Sequence, residues 1–263
     1  VFKVTYADGS LVGILYTDYF PRAGKRPGAW MNNIVSQYVD EEGIDHRPVI
    51  INVGNFNKPT AGNPSLLSMD DVETLFHEFG HALHNLFRDV HYYGISRVPR
   101  DFVELPSQVN EHWTFEPELL KEYAKHYQTN ELIPDELVER FNQCGKYGQG
   151  FATTEYVAAS LLDMDFHSMN EIPTGFDVMN FEQMTLAKQG LLRQIPARYR
   201  TTYFNHTMGG GYTAGYYSYL WSEILDADAF EAYKETGDIF NAEVAEKFRR
   251  YVLQPGAIDD AMV

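Results

Sequence analysis

Cysteine is almost absent. Cys144 is the only one in 263 residues, so no internal disulfide can hold the fold, and burial, hydrogen bonds or a metal must do so. A chain this poor in thiols fits a reducing compartment, and a cytoplasmic location is expected. Cations are scarce too: 21 Lys and Arg face 37 Asp and Glu, and the net charge of −16 repels phosphate backbones and anionic lipid headgroups. Neither a nucleic acid nor a membrane is therefore expected as a partner. No run approaches the roughly 18 uninterrupted apolar residues of a membrane span, and the opening Val1-Phe2-Lys3-Val4-Thr5-Tyr6 lacks the basic-then-apolar layout of a signal peptide. An initiator Met is also missing, so a fragment of something longer is expected. Repeats of 20 to 50 residues, low-complexity tracts and Pro- or Ser-rich linkers are lacking, which makes one domain over 1–263 the simplest organisation. With 44% apolar residues, disordered and collagen-like classes are out.

The first 60 residues favour strands. Val1 to Tyr6 and Leu11 to Tyr16 flank Asp8-Gly9, a strong hairpin signal, and Pro48 to Val53 is a short β-branched run. A small antiparallel sheet is expected, with Val49 to Val53 as an edge strand able to pair with an extended peptide. From Ser68 the pattern turns helical, with candidate helices near 69–87, 102–115, 117–128, 135–146, 150–169, 181–194, 214–233 and 241–252. The fold class is therefore mainly α with a small sheet.

The most informative stretch is Ser68 to His84. Ser68 can cap a helix with Asp71 reaching back three residues later, and Asp70, Asp71 and Glu73 suit its positive end. At 100° per residue, Val72, Leu75, Phe76, Phe79, Leu83 and Leu86 form one stripe, while Thr74, His77, Glu78, His81 and His84 lie opposite. One face is expected to pack and the other to face a cleft. His77 and His81, one turn apart, can point ring nitrogens at a single ion, and Glu78 can take a proton from water activated there. Neutral imidazoles leave zinc enough residual charge to acidify water and polarise a carbonyl, which is equipment for peptide hydrolysis.

A catalytic zinc typically keeps three protein ligands. Glu104 is the best third candidate, on a second helix that Pro106 obliges to start near Asp101 or Phe102. On spacing alone, Glu104 reads equally well as a solvated acid at a helix start, and two facing polar stripes favour the ligand role. Gln108 and Glu111 follow on the same face, where they could orient the histidines, although Glu111 and Asp101 serve as readily in ordinary salt bridges. His84, His91 and His112 are expected beside the site or at the surface.

Three blocks in order resemble the catalytic region of the thimet oligopeptidase and peptidyl-dipeptidase family of zinc metallopeptidases: Phe76 to His84, Arg100 to Gln108, and His206-Thr-Met-Gly-Gly-Gly-Tyr-Thr-Ala-Gly-Tyr-Tyr-Ser-Tyr-Leu-Trp221. The resemblance implies a zincin-like metallopeptidase domain, part of a larger two-lobed channel protein whose N-terminal helical region and extreme C-terminus are not in this chain. It implies one Zn2+ per chain held by His77, His81 and Glu104, Glu78 as general base, and His206, Tyr212 and Tyr219 contacting substrate or the tetrahedral oxyanion. Short peptides are the implied substrates, and a monomer is expected. The second block looks closer to the bacterial dipeptidyl carboxypeptidases than to the animal endopeptidases, so release of C-terminal dipeptides is expected. Internal cleavage is the alternative, and a metal-binding fragment inactive without its missing region is another. Arg193, Arg198 and Arg200 are available cations for a terminal carboxylate.

The residues of the third block read consistently with that role. Tyr212, Tyr216 and Tyr219 are spaced i, i+4, i+7, so a helix would align three phenols, and Gly209-Gly210-Gly211 would let the segment swing onto a bound peptide. Tyr217 and Trp221 are expected to pack in the core.

Overall fold

A computed structural model describes residues 1–258. The chain divides into two compact units, Val1–Pro134 with Ser222–Val263, and Asp135–Trp221. In the first unit, β1 (Phe2–Thr5), β2 (Leu11–Asp18), β3 (Trp30–Val35) and β6 (Val49–Val53) form one sheet, while β4 (Tyr38–Val39) and β5 (Asp45–His46) form a separate ribbon. Helices α1 (Met69–Leu86), α2 (Leu105–Glu111) and α3 (Pro117–Tyr123) follow. The second unit carries α4 (Asp135–Cys144), α5 (Gln149–His167), α6 (Val178–Lys188) and the single turn α7 (Asn205–Met208). Helix α8 (Ser218–Lys234) leads the chain back into the first unit, which ends with α9 (Ala242–Phe248) and a π-helical turn at Arg249–Leu253. The expected mainly helical class is borne out, and among the described residues no helix is long and apolar enough to cross a membrane.

The sheet corrects two expectations. It is mixed, in the order β1-β2-β6-β3, with β2 and β6 parallel and the other two pairs antiparallel. Strand β6 is therefore not an edge: Asn52 pairs with Thr17 on one side and Met31 on the other, and its residue is fully buried. Its main chain cannot accept a peptide, and the open edges of this sheet belong to β1 and β3. The unbroken apolar character of Val49-Ile-Ile is what a strand covered on both faces needs.

Helix α1 lies on the sheet through Ala82 and Leu86, which join Val12, Leu15 and Ile50 in one buried cluster. Its start has the expected capping box, with the Ser68 hydroxyl accepting from the Asp71 N–H and the Asp71 carboxylate accepting from the Ser68 N–H. The two-faced reading of this helix fails at Phe79, which is 38% exposed, while Glu78, Gly80, Ala82 and His84 are buried. The reason is a second packing partner. Helix α2 crosses so closely that a Cβ on Gly80 would collide with the Pro106 carbonyl oxygen and stand 2.6 Å from the Ser107 Cα. Small residues, rather than the large apolar stripe, make the helix–helix contact.

A Gly80→Ala substitution should accordingly destabilise the first unit by about 1–3 kcal/mol, because the obstacle is backbone and has no rotamer to retreat into. Chemical denaturation measures this, and an unchanged midpoint would show that the close approach carries no energetic weight.

Candidate metal centre

The approach at Gly80 places α2 beside the His-Glu face of α1. Residues 101–104 form turns, α2 begins at Leu105, and Pro106 sits in its first turn, where its missing N–H costs nothing. This start is a few residues later than Asp101 or Phe102, and it leaves Glu104 as the residue just before the helix. Glu104 is 1% exposed. Its Oε2 lies 3.3 Å from His77 Nε2 and 3.2 Å from His81 Nε2, and the two imidazole rings meet edge-on at 4.9 Å. One ligand atom from each of His77, His81 and Glu104 falls within 4.8 Å of the others, so these three side chains could hold a metal ion.

Glu111, one of the acids read as readily into an ordinary salt bridge, belongs to this site: its Oε1 lies 2.5 Å from His77 Nδ1. A carboxylate on the far nitrogen of an imidazole fixes which nitrogen faces the ion. Sequence reasoning missed two further supports. Ser107 donates to the Glu104 carboxylate at 3.1 Å and to the Glu104 carbonyl at 2.7 Å, while Asn110 donates from Nδ2 to the Phe76 carbonyl at 2.6 Å, tying α2 to α1. The signal for Ser107 was its place one turn from both Glu104 and Glu111 on the same face, and Asn110 carried none.

Electrostatics separates the two central carboxylates. Burial opposes ionisation of Glu104, but the His81 charge and hydrogen bonds from both imidazoles overcome it and hold the carboxyl well below the usual range. Burial likewise opposes a charged His77, but the hydrogen bonds and charges of Glu104 and Glu111 raise that ring to about 10. Glu78 moves the other way: burial pushes its carboxyl up, with His81 and His77 opposing. Its Oε2 is buried without a hydrogen-bond partner among the described residues.

The remaining histidines stay outside this group. His84 is buried, and its Nε2 accepts from Arg88 Nη2 at 2.9 Å. His112 pairs with Asp226 at 2.6 Å and stacks on Phe230, and His91 is exposed with its ring against Tyr92.

In the second unit, His206, Tyr212 and Tyr219 gather with one another. The Tyr212 and Tyr219 rings stack at 5.1 Å, and His206 lies 6.1 Å and 6.4 Å from them. A helix does not align the tyrosines, as the spacing predicts, because α8 starts at Ser218 and residues 213–217 form turns. Tyr216 points into a buried cluster with Ala159 and Phe204, whereas Tyr217 is 42% exposed and does not pack in the core. The loop is tied down: the buried Asp163 carboxylate accepts from the Ala214 and Tyr216 N–H groups, both at 3.0 Å, and pairs with His167 at 2.8 Å. Tyr156 Oη donates to the Tyr216 carbonyl. Of the three cations considered for a carboxylate, Arg198 is paired with Glu155 at 2.9 Å and Arg200 with Glu182 at 2.8 Å, which leaves Arg193 exposed.

The family description Peptidase family M3 matches residues 1–263. The chain is 43% identical over 263 residues to the dipeptidyl carboxypeptidase of Salmonella typhimurium and 42% identical to that of Escherichia coli K12, in each case across 99% of this chain and 38% of the relative. Against Escherichia coli oligopeptidase A the identity is 37% over 268 residues, covering 99% of this chain and 39% of the relative. The chain belongs to peptidase family M3. It spans less than two fifths of the length of these relatives. The resemblance drawn from three motif blocks is thus borne out, and an M3 chain is expected to use zinc. The residues present fit that ion: two imidazole nitrogens and one carboxylate oxygen are an ordinary zinc donor set, and the buried Glu78 Oε2 has no hydrogen-bond partner among the described residues.

Two outcomes follow from the supports of these clusters. Glu111→Ala should weaken zinc binding by about 10–100-fold, read by chelator competition, with an unchanged affinity showing that His77 needs no orienting partner. Asp163→Ala should destabilise the second unit by about 3 kcal/mol and open residues 206–217 to proteolysis, because two buried N–H groups lose their acceptor.

Proposed function

We propose that this chain is the catalytic domain, across 1–263, of a zinc metallopeptidase that hydrolyses short peptides and releases dipeptides from a free C-terminus. The observation that carries the reading is the convergence of His77, His81 and Glu104 with Glu78 buried alongside. His77, His81 and Glu104 hold the ion. Zinc bound there supplies a Lewis acid that acidifies water and polarises a carbonyl. Glu78 takes the proton as water oxygen adds to the scissile carbonyl carbon, and the same carboxyl then protonates the departing amine as the C–N bond breaks. A carboxyl raised by burial suits both steps, since it accepts a proton readily and keeps it until the amine needs it.

His206, with Tyr212 or Tyr219, donates hydrogen bonds to the oxygen that gains charge. One such donor is worth about 10²–10³-fold in rate. Support for this role is the match of the His206–Trp221 block to the family and the gathering of the three side chains. The preference for dipeptide release rests on the higher identity to the two dipeptidyl carboxypeptidases than to oligopeptidase A. We place the protein in the cytoplasm as a monomer, the single Cys144 fitting a reducing compartment.

The test replaces Glu78 by Gln. Hydrolysis should fall by about 10²–10⁴-fold while zinc stoichiometry, measured by elemental analysis, stays at one. The assay uses the chain and, in parallel, the chain exchanged for the matched segment of the Escherichia coli dipeptidyl carboxypeptidase. Product masses from a short peptide and its C-terminally amidated twin decide the mode. Stepwise dipeptides from the free form alone support the proposal, and internal cuts in both forms would replace it with an endo-acting oligopeptidase.

A further inference from the structure

The first unit contains a polar cavity, of about 520 Å³, bounded by the edge strand β3, the end of α1 and the loop over residues 93–103. Its lining includes three guanidinium side chains, Arg88, Arg97 and Arg100, together with the amides of Asn33 and Asn85, and no carboxylate side chain among the described residues. In a chain with 37 acids and 21 bases, an acid-free wall with three arginines runs against composition. Arg88 is the decisive residue. It is 4% exposed, its Nε and Nη1 are buried without a hydrogen-bond partner among the described residues, and its Nη2 donates only to the neutral acceptor His84 Nε2.

We propose that this cavity is an oxyanion site, taking a carboxylate or phosphate group that neutralises the field of Arg88 and is held by Arg97. A guanidinium cannot shed its charge at any ordinary pH, so a buried one whose cavity lining has no carboxylate among the described residues lacks, among those residues, the counter-charge that normally offsets its lost hydration. The cost registers on Arg88 itself, whose pKa burial lowers to about 10. Arg97 is exposed at the cavity wall, where the paired N–H groups of a guanidinium match the geometry of an oxyanion. The amides of the neighbouring wall are engaged with other groups, Asn33 Nδ2 with Asn85 Oδ1 at 3.1 Å and Ser36 Oγ at 2.9 Å, and Asn85 Nδ2 with the His81 carbonyl at 2.9 Å, so recognition of the anion falls to the guanidinium groups. Its lining includes none of His77, His81 and Glu104, and the site stands whether or not the chain hydrolyses peptides. The anion has two possible sources, the terminal carboxylate of a peptide or a free inorganic oxyanion.

Titration calorimetry of the chelated, metal-free chain with inorganic phosphate, at ionic strength balanced with sodium chloride, tests this. One saturable site is expected, weakened at least tenfold by Arg97→Gln and lost in Arg88→Met. Should Arg88→Met fail to fold, the exposed Arg97→Gln decides alone. No saturable binding, or equal binding by wild type and Arg97→Gln, overturns the proposal. Competition on the Glu78→Gln background then separates the sources. Displacement of phosphate by a short peptide with a free C-terminus, and not by its amide, assigns the site to a substrate carboxylate, and displacement by neither assigns it to a free oxyanion. Because phosphate binding is read without metal or turnover, its failure and a failure of the peptidase reading are separate results.

Discussion

The contact between α1 and α2 at Gly80 is the constraint on which the metal centre depends. Two helices can bring side chains from both to one point only if their axes come close, and any side chain at residue 80 would hold them apart. The closeness lets a short carboxylate at Glu104 reach two imidazoles, and lets Glu111, two turns further along α2, reach the opposite nitrogen of one of them. It also explains the unusual burial of α1. A helix clamped between a sheet and a second helix buries its small and polar positions, while a large residue such as Phe79 is left outward. The hydrogen bond from Asn110 to the Phe76 carbonyl fastens the same crossing one turn before Gly80.

Much of this was legible in the sequence wherever the signal was local. The Ser68 capping box, the Asp8-Gly9 hairpin, the helical stretches and the one-turn spacing of His77 and His81 each depend on residues within a few positions of one another. What escaped was set by partners distant in the chain. Strand β6 reads as an edge because it comes last of the sheet strands in sequence, yet it enters between β2 and β3, and only its continuous apolar character hinted at burial on both faces. Phe79 reads as core because periodicity knows the helix and not the two surfaces that cover it. Glu111 could not be told from Asp101 by spacing, since both are acids near α2 and only the crossing geometry selects one.

The tyrosine segment shows the same limit in a different form. Period counting treats residues 212–219 as one helix, but an internal carboxylate competes for their main chain. Asp163 accepts the N–H groups of Ala214 and Tyr216, Ala214 takes a left-handed conformation with φ of 52°, and the helix is delayed to Ser218. Tyr212 and Tyr219 stack across this turn at 5.1 Å, whereas a regular helix would set i and i+7 on one face but roughly 10 Å apart along its axis, so the turn and not a helix brings the pair together. The anchors of this loop, at Ala214 and Tyr216, lie after the three glycines rather than within them.

The two carboxylates of the metal centre illustrate how environment assigns roles to identical chemistry. Glu104 and Glu78 are both buried, and burial pushes both towards the neutral form. Glu104 escapes because the His81 charge and the hydrogen bonds from both imidazoles favour its charged form, which holds the carboxyl well below the usual range. Glu78 has the imidazole charges nearby without those hydrogen bonds, so burial wins and its carboxyl is shifted towards holding a proton. On the proposed reading, a site with one carboxyl held ionised and another eased towards protonation would divide metal binding from proton transfer without needing different residue types. That division is a property of the hydrogen bonds around each group, and these in turn exist because the helices meet at a glycine.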